Sequence, residues 1–290
     1  MVGGMAVGTT RAKRRLGRHV RPIMERAGVA APEVARLVRT SKDTVHRLLS
    51  GIHLPHYPTF LAIMTVLRAT DDEIAEGTSL WERASQDAVK VEHASALSPG
   101  YLRFRRDEGE AHRERALDPM LVPGLLQLGE YADELGRRAP ALTLGKGWTA
   151  RATAERLDRQ ALLSRSPVPL DYRPLIDEGA LRRVVGSPEL MVRQLEHLLL
   201  VGEQENVTIR VLPFAAGAYG SHFGALNLLE YPEPDEPLSV YVESYEGVRA
   251  VEDEQVARTL VAAWDDAARH ALDPEESARL IREVRDTSHG

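Results

Sequence analysis

Between positions 39 and 47 the chain carries Arg39, Ser41, Lys42, Thr44, His46 and Arg47, a run of cations and hydrogen-bond donors, with Arg18 further upstream. Guanidinium, ammonium and hydroxyl groups donate to phosphate oxygens, and an Arg or Lys can fork onto the acceptor edge of a guanine. Such a set acts together only if one rigid element holds it on a single face with an apolar stripe behind. The spacing supplies that element: Thr40 or Ser41 can cap a helix whose buried stripe is Val45, Leu48 and Leu49, which turns Ser41, Lys42, Thr44 and Arg47 outward. Arg18, Arg39 and Lys42 are then expected on phosphates, and Lys42, Thr44 and Arg47 on base edges.

A second set is scattered through the later part of the chain. Asp177 and Glu178 are adjacent carboxylates, Ser221 and His222 share a loop with Gly217, Gly220 and Gly224, and Glu243 closes an apolar run. Tyr131, Tyr219, Tyr241 and Tyr245 each offer a flat apolar face with a polar tip, suited to a pocket or an interface. Neighbours on a strand point to opposite faces, so Asp177 and Glu178 read as the cap of a short helix over 180–185 rather than as an acid/base pair. The glycine loop has neither dinucleotide spacing nor a Walker lysine-hydroxyl pair. Ten histidines without H-E-x-x-H spacing, and no cysteine, leave no readable metal site, disulfide or thiol nucleophile, so no cofactor is expected. The expected ligand or partner contacts are Tyr131, Asp177, Glu178, Tyr219, His222, Tyr241 and Glu243, and no residue is assigned a catalytic role.

The elements that position these residues follow from periodicity. Leu16, Val20, Ile23, Met24 and Ala27 mark a first helix stopped by Gly28, and Pro32 opens a second that carries Val34, Ala35, Leu37 and Val38. The third ends at Gly51. Phe60, Ile63, Met64 and Leu67 mark a fourth, and a fifth begins at Thr70 or Asp71. Residues 85–97 read as a connector. Beyond it, 101–116 reads as a strongly charged helix, 117–122 as a strand, 124–138 as a helix, 139–147 as a loop and 149–164 as a long helix with i, i+4 pairs such as Glu155 and Arg159. Strands are expected over 170–176, 207–213, 225–231, 239–243 and 248–251, with helices over 188–203, 253–271 and 274–286. The fold class is an all-α domain over 9–84, followed by a larger mixed α/β domain with a short-stranded sheet over 98–287.

Charge is uneven along the chain as well. Residues 1–70 hold twelve Lys and Arg against Glu25, Glu33 and Asp43, a net of +9, while residues 71–290 hold 25 basic against 40 acidic residues, a net of −15. A basic first domain is the electrostatic footprint of a nucleic-acid partner, even though the whole chain is at −6. No stretch is apolar for the roughly 18 residues that a membrane span needs. Residues 1–10 lack an apolar signal core, so the cytoplasm is the expected compartment.

The small Ala35, the apolar Val45, the polar outward face of the third helix, and Gly51 and Pro55 after it together resemble the helix-turn-helix of the lambda-repressor-like (XRE-type) regulators. Here Arg39 stands where that family usually has glycine, Leu49 where an acid is common, and Ala31-Pro32 where glutamine often begins the second helix. Further along, Val122-Pro123-Gly124-Leu125-Leu126-Gln127 with Tyr131-Ala132, Arg159-Gln160, and Ile176-Asp177-Glu178-Gly179-Ala180-Leu181-Arg182 come in order. They are followed by Gln194-Leu195, Val211-Leu212-Pro213-Phe214 with Gly217, and Tyr241-Val242-Glu243. In that order they resemble a large actinobacterial family of antitoxin-like regulators, with Tyr219 a departure after the glycine. The resemblance implies a regulator of development or secondary metabolism with a C-terminal domain of unknown function, often paired with a small neighbour-encoded protein. The reading is a sequence-specific regulator that binds a double-stranded DNA operator as a homodimer, since one small module reads about one half-site, with the C-terminal domain receiving a partner protein or small ligand. An enzymatic C-terminal domain, and a protein-binding antitoxin with weak DNA contact, stand as alternatives.

Overall fold

In the computed structural model, residues 11–85, 97–138, 152–220, 224–233, 236–244 and 247–287 are described. The chain divides into two compact units, Met1–Lys90 and Val91–Gly290.

The first unit contains α1 (Arg11–Ala27), α2 (Ala31–Leu37), α3 (Lys42–Leu49), α4 (Tyr57–Val66) and α5 (Asp71–Ser85). The apolar stripes meet in one core: Leu16, Val20 and Ile23 from α1, Val34 and Ala35 from α2, Val45 and Leu48 from α3, and Phe60, Ile63 and Met64 from α4. Gly28 and Gly51, at φ +65° and +67°, end α1 and α3 in the left-handed region that glycine enters freely. α5 opens on a reciprocal cap, in which the Thr70 N–H donates to Glu73 Oε2 at 2.8 Å and the Glu73 N–H donates to Thr70 Oγ1 at 3.3 Å. Arg26 forks onto the same carboxylate at 2.5 and 2.7 Å and, with the Thr70 N–H, holds its pKa down to about 2. α1 crosses the end of α3 so closely that a Cβ on Gly17 would lie 2.6 and 2.7 Å from the backbone oxygens of Leu49 and Leu48. A side chain there has no room unless backbone moves.

The second unit runs α6 (Pro99–Glu110), β1 (Arg113–Asp118), α7 (Gly129–Arg138), α8 (Ala152–Gln160), β2 (Asp171–Asp177), α9 (Glu178–Arg182), α10 (Pro188–Val201), β3 (Arg210–Leu212), β4 (Leu226–Glu230), β5 (Ser239–Ser244), β6 (Gly247–Ala250), α11 (Glu254–His270) and α12 (Pro274–Thr287). Its sheet has the order β3-β2-β1-β4-β5-β6. β1, β2 and β3 are parallel to one another, and β4 to β6 are antiparallel, with β4 against β1. One face packs Ala116, Tyr172, Ile176, Val211 and Tyr241 into a core that includes Phe104 of α6, Met191 and Leu195 of α10 and Ile281 of α12. The other packs Leu117, Leu175, Leu212, Leu228 and Val240 against Leu260, Val261 and Trp264 of α11. This is the expected all-α unit followed by a mixed α/β unit with short strands.

Three expectations are corrected. The charged segment 101–116 is not one helix: α6 stops at Glu110, and β1 occupies 113–118 rather than 117–122. The segment 124–138 is a 3₁₀ turn, Gly124–Leu126, followed by α7. Glu155 and Arg159 are not an i, i+4 pair either; both are buried, Glu155 taking Arg105 and Arg159 taking Glu108. A common cause underlies the first and third errors, because charges that read as solvent-facing are paired with one another inside the unit. The expected loop at 139–147 lies outside the described residues.

Candidate functional site

The first candidate surface is built on α3. Ser41 caps it, its Oγ accepting from the Thr44 N–H at 3.0 Å and lying 2.9 Å from Thr44 Oγ1. Both hydroxyls therefore serve the cap, and Thr44 is half-buried. Lys42, His46 and Arg47 are exposed on the outer face. Two contacts fix the far end of α3, the Gly17 backbone against the Leu48 and Leu49 carbonyls and Arg21 Nη2 donating to the Leu49 oxygen at 3.2 Å. Arg18, exposed, lies between these two residues on α1, and Arg39 is exposed in the turn that leads into α3. The imidazole of His53 is held below its ordinary pKa by burial and then by Arg47, Lys13 and His56, so positive potential is concentrated beside α3.

The second candidate surface is an edge of the sheet. Asp118 ends β1, Asp177 ends β2, and Glu243 lies near the end of β5, whose backbone N–H donates to the Ala225 oxygen at the start of β4. The pairing register thus brings Asp118, Asp177 and Glu243 to one edge, where β1 changes from a parallel neighbour to an antiparallel one. Asp118 Oδ1 accepts from the N–H groups of Met120 and Leu121, both at 3.0 Å. Burial nevertheless pushes its pKa up to about 7, and the charge of Glu243 adds to the rise. Asp177 caps α9 through Oδ1, which accepts from the Gly179 N–H at 2.7 Å, and its Oδ2 accepts from the Tyr219 hydroxyl at 2.9 Å. Burial and the bond to Asp177 raise the pKa of Tyr219. Glu178 is occupied as well, by Arg182 at 2.7 Å and the Phe214 N–H at 2.8 Å. The edge can accept hydrogen bonds or a cation, and Asp118 can hold a proton near neutrality.

Sequence reasoning gathered Asp177, Glu178, Tyr219 and Glu243 but missed Asp118, since a lone aspartate after an apolar pair carries no signal until strand order is known. Tyr131 and Tyr241 are taken up by the fold. Tyr131 is fully buried and its oxygen accepts from the Val122 N–H at 3.3 Å, while the Tyr241 hydroxyl donates to Asp107 at 2.5 Å in the core. His222, Ser221 and Tyr245 lie outside the described residues.

The ordered motifs turn out to be internal ties. Gln127 Nε2 donates to the Val122 oxygen at 2.7 Å, Gln160 Nε2 to the Gln127 oxygen at 2.6 Å, and Gln194 Nε2 to the Leu126 oxygen at 2.7 Å. Arg159 reaches Glu108 at 2.6 Å, and Arg105 holds Glu108 at 2.6 Å, Asp158 at 2.5 Å and also Glu155. Glu114 of β1 is fully buried beside this set, and neither of its oxygens meets a donor among the described residues. Burial, then the neighbouring Glu108 charge, holds the Glu114 carboxyl well above the carboxylate range. At Glu108 burial acts in the same direction, but Arg159 and Arg105 outweigh it and keep the group ionised.

No group of three or more His, Asp or Glu side chains is arranged to hold a metal ion among the described residues. No helix among them is long and apolar enough to cross a membrane. A family model described as a helix-turn-helix domain matches residues 15–77, and one described as a domain of unknown function (DUF5753) matches residues 101–283. No curated protein and no solved structure matches the chain.

Proposed function

From the premise that the chain belongs to the DUF5753 family and carries a helix-turn-helix domain ahead of that domain, we propose that it is a sequence-specific transcriptional regulator. In this reading α3 enters the major groove of a double-stranded operator. Lys42, His46 and Arg47 face base edges, Arg18, Arg39 and Lys42 border the phosphates, and Ser41 with Thr44 sets the angle of the helix through the cap. The observation that carries the reading is an exposed Lys42-His46-Arg47 face on a helix pinned at both ends, within a stretch, residues 1–70, of net charge +9. Two half-sites about one helical turn apart call for a homodimer. The narrower kinship with actinobacterial antitoxin-like regulators of the lambda-repressor type, and a cytoplasmic location, belong to the same proposal.

The experiment is duplex binding by fluorescence anisotropy across a salt series. Log affinity of the whole chain should fall with log salt by about 0.9 for each neutralised phosphate. On the site recovered by random-sequence selection, Arg47→Ala should cost roughly 1–3 kcal/mol if the guanidinium forks onto a base. Salt-independent binding would remove the nucleic-acid reading.

For the second unit we propose binding rather than catalysis, with a small ligand or partner protein received at the Asp118–Asp177–Glu243 edge. Its support is the pairing register, which brings three carboxylates, one of them able to hold a proton near neutrality, to the same end of the sheet. Asp177→Ala should cost about 0.5–2 kcal/mol through loss of its cap, and incubation of wild type with a metabolite extract should consume nothing. A metabolite turned over by wild type and spared by the folded Asp177→Ala variant would establish an enzyme instead.

A further inference from the structure

Two helices of the first unit end in the same way. At the end of α2 the Thr40 N–H donates to the Ala35 oxygen at 2.9 Å and the Arg39 N–H to the Arg36 oxygen at 3.4 Å. At the end of α4 the Ala69 N–H donates to the Met64 oxygen at 3.0 Å and the Arg68 N–H to the Thr65 oxygen at 3.0 Å. This double closure requires a left-handed residue just past the cap, a place glycine fills without steric cost. The chain uses glycine in that conformation at Gly28 and Gly51, yet here it places Arg39 at φ 55° and Arg68 at φ 53°.

Both arginines are exposed, so neither is kept for packing. The Arg39 side chain makes no hydrogen bond, ion pair or ring contact with another described residue. Its side chain therefore returns nothing within the described residues for the strained backbone, and strain held in this way recurs at sites that act on something outside the fold. The two arginines differ in place. Arg39 stands two residues before the Ser41 cap of α3 and three before Lys42, whereas Arg68 joins α4 to α5.

Building on the DNA reading, we propose that Arg39 is kept in its left-handed turn because its guanidinium binds a backbone phosphate of the duplex where α3 enters the groove. The free protein tolerates the strained turn, and the bound complex recovers the cost through a charge-assisted contact. Arg68, in the same backbone geometry but outside the α2–α3 turn, has no such role.

The test uses the full chain, a 20-base-pair duplex of random sequence as probe, and three variants, Arg39→Gly, Arg39→Lys and Arg68→Gly. Arg39→Gly should raise the thermal midpoint, weaken duplex binding and lower the slope of log affinity against log salt by about 0.9, the loss of one phosphate contact. Arg39→Lys should keep the wild-type slope. Arg68→Gly should raise the midpoint similarly and leave binding unchanged. Wild-type affinity and slope in Arg39→Gly, or an equal loss in Arg68→Gly, would overturn the proposal while the DNA reading stood. A wild-type chain that fails to bind the duplex at all would overturn both.

Discussion

Arg159→Met should destabilise the second unit by about 3–5 kcal/mol, the range for removing one partner from a buried ion pair and leaving the other uncompensated. Arg159 is buried at 6% exposure. Its Nη2 and Nε reach Glu108 Oε1 at 2.6 and 3.0 Å, and its guanidinium lies 5.2 Å from the centre of the Phe104 ring. Methionine fills similar volume and keeps apolar contact with Phe104, so the loss reports charge rather than a cavity. Glu108 would then depend on Arg105 alone, which is shared with Glu155 and Asp158. Arg159→Lys keeps the charge but not the fork and should fall between wild type and methionine. Urea denaturation of the full chain measures both, and a loss below about 1 kcal/mol for Arg159→Met would show that this set does not hold α8 to α6.

Glu114→Gln should have the opposite sign and should depend on pH. The Glu114 carboxyl faces the ionised Glu108 carboxylate with no other donor at hand, so a hydrogen bond closes between them only when Glu114 keeps its proton. In the unfolded chain the same group ionises near its ordinary value of 4.5. Above that pH the folded state binds the extra proton, and stability falls by about 1.4 kcal/mol for each pH unit until the folded group itself ionises. Below it both states are protonated and the contribution is fully present. Glutamine supplies the same donor without a titration. The variant should therefore match wild type near pH 4 and gain on it as pH rises above 4.5, as read from urea midpoints at several pH values. An advantage that stays constant with pH would show that Glu114 is already ionised in the folded protein.

The helices of the first unit are legible residue by residue because their signals are local. Gly28, Pro32, Ser41 and Gly51 stop, open or cap an element within one turn of the apolar stripe they bound. In the second unit the strands from β2 onward also announce themselves, through short apolar runs between turn residues. β1 does not, because four of the six residues of Arg113-Glu114-Arg115-Ala116-Leu117-Asp118 are of charged type, and the arginines' partners are distant in sequence: Arg113 takes Asp171 and Glu230, and Arg115 takes Asp265. Periodicity treats such residues as solvated, and only the tertiary arrangement shows otherwise. The sheet-edge site is legible for the same reason only in part. Asp177 and Glu178 declare themselves as a cap, while the meeting of Asp118 with Glu243 requires the strand order.

The position of β1 also governs the order in which the second unit can be assembled. It is made before any other strand, yet its two neighbours come 58 residues later, at Asp171, and 117 residues later, at Glu230. On the ribosome the helical first unit, with its local contacts, can close while the middle of the sheet still waits for both flanks. An unpaired central strand is an invitation to stray pairing with other chains, and an apolar one would be a hazard throughout that interval. Arg113, Glu114 and Arg115 make this strand a poor template until its own partners arrive, because alternating charges discourage edge-to-edge association. Glu114, whose retained proton costs the finished unit stability at neutral pH, thus belongs to the charged run that guards its longest unfinished stage.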